Sequence, residues 1–168
     1  VNLLHLEQGE KVTAFIPVKK FEPGKYLLMV TCKGTVKKTS LEEFSNPRKG
    51  GIIAIKLDDD ELCSVMLTDG TQNILIATEQ GMAVKFNEKN VRPMGRTAAG
   101  VIGIKLRKDT VVGATIADEK KTLLTITEKG YGKRTEISEY RLTARGGVGI
   151  INLKIWTVKN KKLRGIFL

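Results

Sequence analysis

Histidine and cysteine are nearly missing from this 168-residue sequence: His5 is the only histidine, and Cys32 and Cys63 are the only cysteines. The scarcity argues against a Cys/His zinc cluster, a Ser-His-Asp triad and a disulfide framework. Two lone thiols suit a reducing compartment. There is no Gly-x-x-x-x-Gly-Lys-Ser/Thr loop, so ATP is not expected to bind. Long apolar runs, a signal peptide and a lipidation motif are also lacking, and a soluble cytoplasmic protein is expected. No stretch keeps a 3.6-residue apolar period for three turns, which argues against helices as the main element. Neither a metal nor a cofactor is expected. The first residue, Val1, falls inside what reads as a strand, as in a piece excised from a longer chain.

What the sequence holds in excess is positive charge. Lys and Arg outnumber Asp and Glu by 29 to 18, a formal net charge of +11. An excess of that size in a small domain favours a polyanionic partner.

The strongest signal is repetition. Gly51-Ile52-Ile53-Ala54-Ile55-Lys56-Leu57 matches the run that starts at Gly100 and the run that starts at Gly149, a period of 49. Asn2 to Leu6 reads as the same segment entered late. Between these lies a second repeated run, an apolar stretch closed by Thr-x-x-Gly, with its glycines at Gly34, Gly81 and Gly130. Each unit reads as four short strands rich in Val, Ile and Thr, punctuated by glycine turns. In the middle unit these are 52–57, 62–67, 74–78 and 82–86. A four-stranded unit of this length is the size of a propeller blade. The expected fold is all-β, a propeller-like array of four-stranded antiparallel blades. Units are expected over residues 1–48, 49–96 and 97–145, with a partial fourth over 146–168. An unclosed array leaves a strand edge exposed, and Leu163 to Leu168 is the segment expected to pair there with another copy.

The basic residues recur in phase with these units. Four residues after the turn glycine stand Lys38, Lys85 and Arg134, and two of them have basic neighbours, Lys37 and Lys133. Eleven residues after it stand Ser45, Arg92 and Arg141. Just before the next unit come Arg48 with Lys49, then Arg96, then Arg145. Equivalent positions in a radial array lie on one rim, and a basic rim suits the phosphates of bent duplex DNA. The eleven basic residues among these, Ser45 excluded, are the candidate DNA-binding set. The acidic run Asp58 to Glu61 reads as a solvated loop, because no calcium-type Gly/Asp pattern surrounds it. Tyr26, Tyr131 and Tyr140 read as structural, Cys63 as a core position and Cys32 as an exposed turn residue.

Several strings resemble the C-terminal domains of bacterial DNA gyrase A subunits. They include Val1-Asn2-Leu3-Leu4 with Gly9-Glu10-Lys11-Val12-Thr13-Ala14, Gly34-Thr35-Val36-Lys37-Lys38-Thr39 and Leu67-Thr68-Asp69-Gly70. The most specific are Val91-Arg92-Pro93-Met94-Gly95-Arg96 and Gly130-Tyr131-Gly132-Lys133-Arg134-Thr135. The resemblance implies a β-pinwheel whose blades exchange a strand, and a module that binds and wraps double-stranded DNA without reading its sequence. It further implies a parent topoisomerase that adds negative supercoils using ATP. Its partners would be the gyrase B subunit together with the remainder of gyrase A, and its place the bacterial cytoplasm at the nucleoid. No catalytic centre is implied for this stretch. The family's wrapping box lies in a first blade that this sequence lacks, and Arg145-Gly146-Gly147-Val148-Gly149 is a partial echo of it. Two readings compete: a protein-interaction propeller with an acidic partner, and the C-terminal domain of the topoisomerase IV A subunit.

Overall fold

The computed structural model describes residues 6, 8–155 and 162–168. The expected strand at the start of the sequence therefore lies outside the described residues except for Leu6, and so does His5. Among the described residues the strands are β1 (Tyr26–Thr31), β2 (Thr35–Ser40), β3 (Leu62–Thr68), β4 (Asn73–Thr78), β5 (Met82–Asn87), β6 (Val101–Ile102), β7 (Val111–Ile116), β8 (Thr122–Thr127), β9 (Gly132–Glu136), β10 (Leu142–Thr143), β11 (Ile150–Ile151) and β12 (Leu163–Phe167). Only short 3₁₀ turns interrupt them, at Leu41–Phe44, Glu88–Asn90 and Ile137–Glu139.

The Thr-x-x-Gly motif makes three hairpins by one device. In β1–β2 the amide of Gly34 donates to the Thr31 carbonyl at 3.0 Å, and the amide of Thr35 donates to the Thr31 hydroxyl at 3.1 Å. Thr78 closes β4–β5 and Thr127 closes β8–β9 through the same pair of bonds. The threonine thus supplies two acceptors to one turn, which explains its place in the motif. The glycine takes a left-handed φ, +81° at Gly81, which side chains resist.

A hairpin alone is marginal in water. Each of these gains strands from later in the chain. β1–β2 is flanked by β3 beside β1 and by β6 beside β2. β4–β5 is flanked by β7 beside β4, with β11 and β10 beside β5. β8–β9 gains β12 beside β8. The outer strands β3, β7 and β12 each cross a register shift at the corresponding place, where the strand twists as it passes the turn.

The sheets therefore do not coincide with the sequence units. The middle unit's stretch at 62–67 was expected beside 74–78, yet β3 pairs with β1, from Tyr26↔Thr68 to Thr31↔Leu62. The stretch at 52–57 forms no strand. Residues after 146 complete the second and third sheets. Leu163–Phe167, expected to seek another copy, pairs instead with β8 of its own chain. β3 and β7 thus each join the hairpin before them although the next hairpin lies closer along the chain.

Two apolar cores separate the sheets. Leu28, Val30 and Val36 of the first sheet meet Ile74, Ile76, Val84 and Phe86 of the second. Leu75, Ala77 and Ala83 meet Leu123, Ile137 and Leu163 on the other face. A strand buried on both faces, such as β4, reads as a continuous apolar run rather than an alternating one.

Close passage of chain over the turn glycine generates a test. A Cβ on Gly81 would fall 2.2 Å from the Leu153 carbonyl oxygen, whereas one on Gly130 would meet nothing within 4 Å. Gly130→Ala is expected to cost only the left-handed strain of about 1–2 kcal/mol. Gly81→Ala should lower the thermal midpoint clearly further, at roughly 2–4 °C per kcal/mol for a chain of this size. Equal losses in a melting experiment would contradict the observed passage.

Candidate nucleic-acid interface

The three sheets stack face to face with the same strand order. That arrangement puts β2, β5 and β9 on one side of the array and β3, β7 and β12 on the other. A covering segment runs along the first side after each 3₁₀ turn. Pro93 bridges to Lys38 in parallel, and Val101–Ile102 then pairs antiparallel with Val36 and Thr35. One blade later, Leu142–Thr143 runs parallel to β5 and Ile150–Ile151 antiparallel to it.

These covering segments are laced to one another. The Lys37 ammonium donates to the carbonyl oxygens of Ala54, at 2.9 Å, and Arg96. The Arg145 guanidinium donates to the carbonyls of Asn90, at 2.8 Å, and Ile102, at 3.0 Å. Main-chain bonds join Gly146 to Gly103 and Lys105 to Gly147. The result is a continuous strip in which Arg145 is half-buried and acts as a clamp. Gly149 lets the chain pass beside β5, since a Cβ there would lie 2.3 Å from the Ala83 carbonyl oxygen. The Arg-Gly-Gly-Val-Gly string thus has a packing role at this position.

The structure divides the eleven candidate residues. Arg48, Lys49, Arg92, Lys133, Arg134 and Arg141 are exposed on the strip or on β9 beside it. Arg96 and Arg145 are half-buried, and Arg96 Nε lies 3.9 Å from a Glu43 carboxylate oxygen.

Lys37, Lys38 and Lys85 require correction. Their exposures are 0%, 4% and 4%, so their ammonium groups are held inside the array and do not present to solvent. Lys38 donates to the Glu88 carbonyl at 2.8 Å, lies 3.7 Å from the Glu88 carboxylate and sits 5.2 Å from the Tyr26 ring centre. Lys85 donates to the Ile137 carbonyl at 3.0 Å and to the Glu119 carboxylate at 2.9 Å. Glu88 and Ile137 each open the 3₁₀ turn of the following blade. The lysines therefore recur in phase because each ties one blade to the next. Burial lowers the pKa of Lys38 against the opposing pull of Glu88, and burial beside Arg96 lowers that of Lys37. Glu88 itself accepts from the Thr68 hydroxyl at 2.8 Å and the Gln72 amide at 2.9 Å.

Three exposed lysines on the strip escaped the sequence reading. Lys56, Lys105 and Lys154 occupy one position of the Gly-x-Ile repeat, at the period of 49 already evident in its glycines. The signal was visible in the repeated Ile/Leu-Lys-Leu/Ile endings.

The remaining expectations resolve simply. Asp60 accepts from the amides of Lys33 and Glu61, so that part of the acidic run fastens the first hairpin turn. Asp109 does the same for Gln80 and Thr110 one blade on. The Tyr140 hydroxyl donates to the Asn152 side-chain oxygen at 2.5 Å in the second core. Cys63 packs against the first core, and Cys32 is half-buried with its thiol pKa pushed up to about 11, chiefly by burial. That shift opposes nucleophilic reactivity.

The comparisons with known proteins bear on this arrangement. The family model for the DNA gyrase C-terminal domain, beta-propeller, matches residues 25–69, 72–118 and 121–160. The chain belongs to that family. The first two matched spans each cover a hairpin with its outer strand, β1–β3 and β4–β7, and the third covers β8–β11 and stops short of β12. The DNA gyrase A protein of Salmonella typhimurium is 52% identical over 99 residues, which are 58% of this chain and 11% of that protein. Its Clostridium acetobutylicum counterpart is 50% identical over 99 residues, covering 58% and 12%. The match thus spans only a small part of the curated relatives' length. Among solved structures, a DNA gyrase A C-terminal domain superposes with a TM-score of 0.81 at 28% identity, covering 96% of this chain and 55% of its own. The C-terminal domain of DNA topoisomerase IV gives 0.91 at 29% identity, covering 99% and 53%. Like those domains, this member of the gyrase A family is an all-β propeller-like array. Among the described residues no helix is long and apolar enough to cross a membrane.

The buried lysine makes a testable claim. Lys38→Met should destabilise the fold by about 3–5 kcal/mol, because it strands a buried carboxylate. Combining it with Glu88→Gln should recover part of that loss in a double-mutant cycle read by denaturant unfolding. Additive losses would show that the pair is not coupled.

Proposed function

We propose that this chain is a sequence-independent binding and wrapping module for duplex DNA, and that the duplex runs along the strip beside β2, β5 and β9. The observation that supports it is segregation of charge. The covering segments 44–57, 91–106 and 140–155 carry three basic residues each and no Asp or Glu. The opposite-edge strands β3 and β7 carry no charged residue, and β12 carries only Arg164. Solubility alone would not sort charge by edge.

The physical requirement fits. Duplex DNA carries about one charge per 1.7 Å of axis, and its neutralisation by Lys and Arg releases counterions. Phosphate contacts fix position without reading bases. Bending 20–30 base pairs costs on the order of 1–6 kcal/mol, which only a series of contacts offsets. Lys56, Lys105 and Lys154 supply such a series, joined by Arg48, Lys49, Arg92, Arg141, Lys133 and Arg134. In this proposal Lys37, Lys38 and Lys85 hold the array that presents those residues and touch no phosphate. The same reading extends to a parent gyrase acting in the bacterial cytoplasm at the nucleoid. There the gyrase B subunit, with the remainder of gyrase A, would use ATP to add negative supercoils to DNA held by this module.

Fluorescence anisotropy with duplexes of increasing length, over a salt series, tests the proposal. Affinity should rise with length and fall steeply with salt. Arg92→Glu with Arg141→Glu should weaken binding at least tenfold and reduce the salt slope by about 2, at roughly 0.9 per lost phosphate contact. Unchanged affinity and slope would remove the strip from the interface. Weak binding indifferent to length would favour an acidic protein partner.

A further inference from the structure

We propose that Cys32 and Cys63 are a peroxide-oxidisable pair, and that the reversible disulfide they form fastens the exchanged strand β3 to the hairpin it joins. The proposal is independent of DNA binding. It rests on where the fold places the chain's only two cysteines.

Pairing of β3 with β1 makes them neighbours. The register of that pair shifts where Ser64 faces Val30 and Leu62 faces Thr31, which leaves Cys63 as the extra residue of a bulge. Cys32 directly follows Thr31, and its amide donates to the Glu61 carbonyl at 2.8 Å. The two thiols are in hydrogen-bond contact with each other. The Cys63 thiol also donates to the Val111 carbonyl at 3.6 Å, and the Ser64 hydroxyl donates to Cys63 Sγ at 3.9 Å. Val111 completes the circuit, because its amide donates to the Cys32 carbonyl at 2.9 Å. Both cysteines are half-buried, which leaves an approach for a molecule as small as hydrogen peroxide.

The other blades show that side chains at these two positions are built to meet. Glu79 and Glu128 take the place of Cys32 after the turn threonine, and their amides likewise donate to the outer strand side, at Thr110 and Lys162. Val112 and Arg164 take the place of Cys63 in the bulge. In the third blade the two side chains form an ion pair, Arg164 to Glu128 at 3.3 Å. In the second blade Val112 offers no charge, and Glu79 pairs instead with Lys162 at 3.1 Å. The first blade sets two thiols where the third sets opposite charges, and a covalent bond is the tie that two thiols can make.

The chemistry balances with peroxide as the oxidant. One sulfur, as thiolate, attacks a peroxide oxygen. The O–O bond breaks, a sulfenic acid forms, and the departing hydroxide takes up the thiol's proton as water. The second sulfur then attacks the first, the S–O bond breaks, and the oxygen leaves with the second thiol's proton as another water. Two thiols lose two electrons and the peroxide gains them. The Sγ atoms, already in contact, close to about 2.05 Å. Burial first, then Cys63 and the Glu61 carboxylate, pushes the Cys32 thiol up to about 11, and burial raises that of Cys63. Scarce thiolate makes the first step slow, so the pair stays reduced through brief exposure. Proximity makes the second step fast, so the sulfenic acid is captured before it oxidises further.

The bond has two structural effects. It closes the loop from Cys32 to Cys63, so β3 can no longer leave β1. It also removes the Cys63 proton that the Val111 carbonyl accepts, so the seam between the first and second sheets registers the same event.

Peroxide treatment of the folded chain, read by thiol titration, non-reducing peptide mapping and thermal melting, tests the proposal. Both thiols should disappear together, mapping should find Cys32 joined to Cys63 within one chain, and dithiothreitol should restore both. The thermal midpoint of the oxidised chain should rise by on the order of 10 °C. Cys63→Ser should show no rise after the same treatment. Circular dichroism checks that this variant folds, and Cys32→Ser, at the turn, replaces it if it does not. Thiols that persist through overnight exposure to excess peroxide would overturn the proposal. So would separate oxidation of each cysteine to a sulfinic acid, bridges formed only between chains, or a disulfide form that melts where the reduced chain does.

Discussion

Every blade here depends on backbone hydrogen bonds that its own hairpin cannot supply. Two strands leave both outer rows of N–H and C=O groups unpaired, and such rows are costly when packing removes them from water. The chain resolves this by returning twice to each of the first two hairpins, once with an outer strand and once with a covering segment. Nearly everything else follows from that need: the left-handed glycines that let a second backbone approach, the register shift in each outer strand, and the buried lysines that reach across to the next blade.

The lysines illustrate how one sequence pattern can have two physical causes. A Lys in a strand is ordinarily solvated, and its aliphatic stem tolerates partial burial. At Lys38 and Lys85 the ammonium instead donates to the carbonyl that opens a 3₁₀ turn, an oxygen that also accepts a main-chain amide of that turn. Lys56, Lys105 and Lys154 are exposed. Both sets recur at the blade period, so periodicity reveals that a position matters without revealing whether it faces inward.

The local features were legible in the sequence. Apolar runs, Thr-x-x-Gly turns and a fixed period identify the hairpins because each is decided within a few residues. The membership of β3 and the burial of Lys38 were not legible, because they are decided far along the chain: Lys38 finds its acceptor 50 residues downstream and Lys85 finds its own 52 residues downstream. Equally hidden was the sorting of charge, since the neutral outer strands and the basic covering segments lie close in sequence and become opposite edges only when the sheets stack.

Strand exchange also limits how such a protein can change over evolutionary time. The first sheet draws on three successive repeats, with β1–β2 from one, β3 from the next and β6 from the one after. Gain or loss of a whole repeat preserves every pairing in the remainder, because each strand finds an equivalent neighbour one period away. Gain or loss of half a repeat orphans strands in several sheets at once. The array is therefore quantised in heredity: its genes can lengthen or shorten it only by full periods.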